Sequence, residues 1–163
     1  RDSVASRGLG DVYKRQAYRS IEEQQKLWNA KYLKFQKEHP DLSAEELTKL
    51  VKRVCADPRF GFGGHQTGGA VDIALCNDKG IDYSMGTKHS EVNEKTKTNS
   101  KFITKEEEKN RRILSGAMLK VGFVNYPQEW WHFSYGDRMW AAYKNKNNCV
   151  YGLVKDTQHE NSC

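Results

Sequence analysis

Long apolar runs are missing from this chain. No stretch approaches the roughly 20 residues a bilayer-spanning helix needs, and no secretory signal is visible at the start, so no membrane span is expected. Paired C-x-x-C motifs are missing too. The four cysteines, Cys55, Cys76, Cys149 and Cys163, are scattered, which excludes a zinc ribbon and a dense disulfide framework; a Cys149–Cys163 pairing stays open. No stripe of interleaved aromatic and basic residues stands out. The net charge of +6 and pI of about 9.1 therefore read as a solvated basic surface with a mild attraction for anionic polymer, and no nucleic-acid partner is expected. Internal repeats and a second domain are also absent from the pattern. What remains is 163 residues, 37% hydrophobic and 29% charged, enough for one globular domain with a real core.

Residues 1–16, RDSVASRGLGDVYKRQ, carry neither a helical nor a strand period and run directly into the motif-like Ala17-Tyr18-Arg19-Ser20. They are expected to be a non-native or disordered leader, the tail DVYKRQ resembling translated adaptor sequence. The fold is then expected from a single domain over 17–163, truncated at its N-terminus.

Three capping boxes announce helices. In each, a Ser or Thr side chain and a Glu three residues later exchange bonds with free backbone N–H groups. Ser20 with Glu23 opens a helix that Pro40 stops near His39, with Ile21, Leu27, Trp28, Tyr32 and Phe35 on one face. Ser43 with Glu46 opens a second, carrying Leu47, Leu50, Val51 and Val54. Thr104 with Glu107 opens a third, whose stripe of Ile113, Leu114, Ala117, Met118 and Val121 ends at Gly122. Strands are expected at Ala70–Leu75, Gly122–Tyr126, Trp130–Tyr135 and Cys149–Val154, all rich in β-formers. The polar stretch Lys88–Lys101 reads as a long mobile loop. This order predicts an α+β fold: a small, mostly antiparallel sheet with flanking helices.

Two constellations carry chemistry. Asp72 lies inside Ala-Val-Asp-Ile-Ala-Leu, a segment that otherwise reads as a buried strand, where an ionised carboxylate is costly without a cation or several donors. Seven residues earlier, His65 stands in the glycine-rich Gly61–Gly69, where the backbone can turn sharply toward a site. A His–Asp hydrogen bond holding a turn is the alternative reading. The second constellation is Glu129-Trp130-Trp131-His132-Phe133. Strict strand alternation points Glu129 away from His132, so Glu129 joins a site only from a loop set up by Pro127. An aromatic core strand with an exposed Glu is the alternative. Taken together, His65, Asp72 and His132 supply three protein ligands and leave a fourth position open, the arithmetic of one catalytic zinc ion. Glu129 would then be the base that takes a proton from water.

The stretch GGHQTGGAVDIAL followed by QEWWHF resembles the zinc D-alanyl-D-alanine peptidases of bacterial cell-wall metabolism, whose pattern S-x-H-x-x-G-x-A-x-D, then E-x-W-H, is met at His65, Gly68, Ala70, Asp72, Glu129, Trp131 and His132. The resemblance implies a Hedgehog-like fold, zinc on His65, Asp72 and His132, and Glu129 as base. It also implies a small D-amino-acid peptide as substrate. Tyr18-Arg19-Ser20 resembles the family's G-Y-R-S/P segment, which makes Arg19 the residue that steadies the developing oxyanion. The dipeptidase branch, acting on D-Ala-D-Ala, is the leading expectation. A D,D-carboxypeptidase trimming terminal D-Ala from stem peptides is the rival, and a non-catalytic zinc-binding or cell-wall-binding module is the third reading. Two departures bear on substrate. The motif Ser is Gly63 here, and the dipeptidase segment M-G-S/T-x-F-D reads Met85-Gly86-Thr87-Lys88-His89-Ser90, so Ser90 stands where an acid for the substrate's amino group is expected, with Glu91 the nearest substitute. His39, His89 and His159 receive no functional role. Compartment (bacterial cytoplasm or cell envelope) and oligomeric state stay open.

Overall fold

The chain closes all three expected capping boxes. In the computed structural model, which describes residues 11–60 and 63–154, Ser20 accepts from the Glu23 N–H at 3.1 Å while Glu23 accepts from the Ser20 N–H at 2.9 Å. They open α1, Ile21–Glu38. Ser43 with Glu46 caps α2, Ala44–Lys52, and Thr104 with Glu107 caps α3, Lys105–Lys120. Each box satisfies two N–H groups that the first helical turn cannot, worth about 1 kcal/mol at the cap residue. Helix α3 runs out at Val121, and Gly122 follows with φ +94°, a left-handed turn that favours glycine.

Four antiparallel strands form one sheet in the order β1-β2-β4-β3: β1 is Asp11–Gln16, β2 Ala70–Cys76, β3 Val124–Asn125 and β4 His132–Ser134. The strand β2 lies between β1 and β4 and is buried along nearly its whole length, so a continuous apolar run rather than an alternating one is what it requires. Its Ile73 and Ala74 join Met85, Leu114, Trp130, Trp131 and Phe133 in the main core. A second cluster, Trp28, Val51 and Cys55, seals α1 against α2. Truncating a fully buried ring such as Phe133 costs about 3–5 kcal/mol.

Four expectations need correction. A strand starts at Asp11, inside the segment set aside as a leader. It pairs with the free edge of β2 through main-chain bonds, which ask for no hydrophobic alternation, and its register shifts between Lys14 and Gln16. Residues 1–10 lie outside the described residues. No strand forms over Cys149–Val154 despite its β-formers. The N–H groups of Val150 and Tyr151 converge on the single carbonyl of Gly136, and that of Val154 reaches Gln66, so no ladder is built. A fourth helix, α4, Arg138–Tyr143, forms instead beyond β4, capped by Asp137, which accepts from the Trp140 N–H at 2.8 Å. Finally, the 88–101 loop is pinned rather than loose. The buried Arg111 of α3 donates to the carbonyls of Lys97 at 2.6 Å, Lys95 at 2.8 Å and Met85 at 2.8 Å, and its guanidinium lies 5.7 Å from the Trp130 ring centre. Cys55 is a buried free thiol and Cys149 an exposed one, and Cys163 lies outside the described residues.

Candidate active site

The register of two strands builds the centre of the site. Asp72 on β2 pairs directly with His132 on β4, and directly opposed residues put their side chains on the same face of a sheet, about 5 Å apart at Cβ. Asp72 Oδ1 consequently lies 3.0 Å from His132 Nδ1. His65 reaches the same oxygen from a 3-10 turn, Gly64–Thr67, with its Nε2 at 3.4 Å. That turn needs its glycines. A Cβ on Gly64 would sit 2.7 Å from the Cβ of Ala70, and Gly68 ends the turn at φ +70°.

One ligand atom from each of His65, Asp72 and His132 lies within 4.8 Å of the other two. The orientation of His65 is fixed from behind, its Nδ1–H donating to the Ala17 carbonyl at 2.7 Å, which turns Nε2 toward Asp72. A histidine held in this way is the usual supporting arrangement of a metal ligand. Burial alone would raise the Asp72 carboxyl pKa, but hydrogen bonds from His132, His65 and His89 outweigh it and hold the group well below the usual carboxylate range. The donor set of two imidazoles and one ionised carboxylate fits zinc, with a fourth position left for water or substrate.

Glu129 belongs to the turn that precedes β4, not to the strand, so the alternation that would have pointed it away does not apply. Its N–H bonds the Tyr126 carbonyl at 3.0 Å and its carbonyl accepts the His132 N–H at 3.3 Å. The tight turn thereby carries its side chain to the cleft wall. Burial pushes the Glu129 carboxyl up, with the Asp72 charge adding to this while His132, His65 and a Trp131 hydrogen bond oppose it. Arg19 enters from the segment between β1 and α1. Its backbone N–H bonds the His65 carbonyl at 3.2 Å, and its guanidinium donates to Gln24 at 2.6 Å and also to Gln16. His65, Asp72, His132, Glu129 and Arg19 all line one open cleft of about 360 Å³.

One residue set aside in the sequence reading stands beside this group. His89 places Nε2 3.1 Å from Asp72 Oδ2 and packs edge-on against Trp131, ring centres 5.5 Å apart. No periodicity could reveal it, since it sits on a loop. The one available signal was that His89-Ser90 interrupts a segment that resembles the substrate-facing part of the family. Ser90 lines the cleft. Glu91, the substitute considered for the missing acid, is spent elsewhere: it accepts from the Lys88 N–H at 3.1 Å and the Asn93 amide at 2.9 Å, and it lines a neighbouring depression.

The profile of the peptidase M15 family, D-Ala-D-Ala dipeptidase, matches residues 9–151. The chain belongs to this family. It is 36% identical over 108 residues to a D-alanyl-D-alanine dipeptidase of Synechocystis sp., a match covering 56% of this chain and 44% of that protein. It is 27% identical over 94 residues to the Escherichia coli protein of the same name, covering 55% and 49%, and 31% identical over 99 residues to that of Enterococcus faecalis, covering 60% and 46%. The chain thus spans about half the length of these relatives. Among solved structures, a mutant of the vancomycin resistance D,D-pentapeptidase VanY in complex with Zn(II) superposes with a TM-score of 0.51 at 18% identity, over 85% of this chain and 68% of that one. VanYB in complex with D-alanine-D-alanine gives 0.51 at 20% identity, over 85% and 67%. At these identities the likeness concerns the fold, and the small antiparallel sheet with flanking helices is the architecture expected from the sequence.

Proposed function

We propose that this chain hydrolyses the D-alanyl-D-alanine dipeptide at one zinc ion held by His65, Asp72 and His132. The observation that carries the reading is the convergence of three donor atoms within 4.8 Å of one another in a cleft that Glu129 and Arg19 also line. Relatives named D-alanyl-D-alanine dipeptidase supply the substrate class. When bound, zinc supplies a Lewis acid that polarises a carbonyl and makes water acidic near neutral pH. The protein's own residues do the rest. His65 Nε2, Asp72 Oδ1 and His132 Nδ1 would hold the ion. Glu129, made more basic than a solvated glutamate by its burial, accepts the proton of the attacking water at a carboxylate oxygen and passes it to the departing amine. Arg19, its guanidinium aimed by Gln24 and Gln16, faces the negative charge that grows on the scissile carbonyl oxygen. A donor in that role is worth roughly 3–4 kcal/mol. Trp131 and Tyr126 line the cleft, and their low-dielectric rings strengthen these charges.

The test compares zinc-loaded protein on D-Ala-D-Ala, its N-acetyl form and a stem pentapeptide. Hydrolysis of the free dipeptide is expected. With Ser90 in the acid's place and Glu91 turned away, the N-acetyl form should be cleaved as well, at a comparable kcat/KM. A preference for the pentapeptide would assign the carboxypeptidase reading. No turnover of any of the three, with zinc bound, would leave a non-catalytic zinc module.

A further inference from the structure

The two oxygens of Asp72 have different partners. Oδ1 faces His132 Nδ1 at 3.0 Å and His65 Nε2 at 3.4 Å, whereas Oδ2 faces His89 Nε2 at 3.1 Å. The three donor atoms that cluster within 4.8 Å belong to His65, Asp72 and His132, so His89 reaches the carboxylate from outside that cluster. Ser90 Oγ lies against the same ring, 3.0 Å from Nδ1 and 3.4 Å from Nε2, and Ser90 adopts φ +64°, a left-handed conformation that costs a non-glycine residue energy and persists only where its surroundings over-determine it. The ionised carboxylate of Asp72 can only accept, so the His89 ring carries a proton on Nε2 and donates it to Oδ2. The edge-on contact with Trp131 at 5.5 Å fixes the ring plane. The loop bearing His89 is in turn held by Arg111, which grips the carbonyls of Met85, Lys95 and Lys97 on both sides of it.

We infer that His89 is a positioning residue for the metal centre: by donating to Asp72 Oδ2 it commits that oxygen, so that Asp72 presents a single oxygen, Oδ1, to the ion. A carboxylate with a free second oxygen can swing between one-oxygen and two-oxygen binding, and losing that freedom raises affinity. Partners of this kind, one step behind the ligands, typically change metal affinity by 10–100-fold. The inference rests on the proposed zinc centre but not on the proposed substrate, and its test reads metal binding without any turnover.

Zinc affinity is measured on the full chain by competition with a chelator of known strength, and the absorption of the cobalt-substituted protein reports the ligand set. His89→Phe keeps a flat ring against Trp131 and removes the donor; it should weaken zinc binding by about 10–100-fold while leaving the cobalt spectrum that of the parent ligand set. His89→Gln retains an N–H donor and should recover most of that loss. Where His89→Phe does not fold, His89→Ala carries the same expectation. Three results would overturn the inference: zinc affinity unchanged in the Phe or Ala variant, a cobalt spectrum showing that a ligand has been lost (His89 would then bind the ion itself), or a Gln variant as weak as the Phe variant. A chain that shows the expected zinc series but cleaves no D-Ala-D-Ala defeats the proposed substrate and leaves this inference standing.

Discussion

Two walls of the cleft are held in place by different means. On one, Asp72 and His132 face each other across the β2–β4 ladder, and His65 is locked by a glycine turn and the Ala17 carbonyl. Main-chain bonds set this geometry, and many residues share the burden. On the other, the stretch from Met85 to Thr98 contains no helix or strand. It is held to α3 chiefly through the guanidinium of Arg111. That side carries His89 and Ser90. The contrast is that His65, Asp72 and His132 stand on or against the sheet, whereas His89 and Ser90 sit on a loop held mostly by side chains, Arg111 and Trp130 among them, and by a few main-chain bonds at Thr96 and Thr98, where substitution can alter them without disturbing the sheet.

The largest effect should follow from breaking the stiff wall at its centre. Asp72→Ala removes the acceptor shared by three histidines; zinc content should fall well below one per chain and turnover should vanish, checked by elemental analysis and a dipeptide assay. Next comes Glu129→Gln, which keeps the shape of the turn but cannot accept a proton. Turnover should fall by about 10²–10⁴-fold, with zinc still near one per chain; loss of zinc would make Glu129 a ligand instead.

Breaking the loop wall should cost stability before chemistry. Arg111 is buried with its pKa pushed down by that burial to about 10, and Arg111→Met would strand the buried Met85 carbonyl and the half-buried ones of Lys95 and Lys97. A loss of about 3 kcal/mol is expected, seen in denaturant melts, and hydrogen exchange should quicken over residues 86–98 while β2 and β4 stay protected. Equal exchange in both walls would erase the distinction between them.

The smallest expected effect concerns the cost of keeping a base in the cleft. Glu129 has its folded pKa raised above the ordinary 4.5, burial being the main cause. The sign follows directly: folding disfavours its ionised form, so stability is lost as pH rises from 4.5 through the raised folded value. In metal-free protein, Glu129→Gln should therefore melt above the parent at neutral pH, and the two melting curves should converge below 4.5. A Gln variant that melts lower at neutral pH would contradict the direction.

Much of the stiff wall was legible in the sequence because its determinants are local. The capping boxes at Ser20, Ser43 and Thr104 fixed three helix starts, and the apolar run around Asp72 marked both a buried strand and a carboxylate in need of partners. What was not legible depends on pairing. The Asp72–His132 register is a long-range fact, and Glu129 reaches the cleft only because β4 starts at His132 rather than at Trp130. The strand β1 was missed because it borrows order from the edge of β2, and α4 because six residues behind an Asp cap are too short for a period to show. His89 and Arg111 were missed for the same reason: a lone histidine in a polar loop and an arginine within a charged helix look solvated until the fold folds them inward.

The most direct test of the metal centre is diffraction from zinc-soaked crystals at the zinc absorption edge. One anomalous peak is predicted, about 2.0–2.2 Å from His65 Nε2, Asp72 Oδ1 and His132 Nδ1, with the Glu129 carboxylate outside coordination distance. A peak elsewhere, no peak at all, or Glu129 bound to the ion would contradict the account.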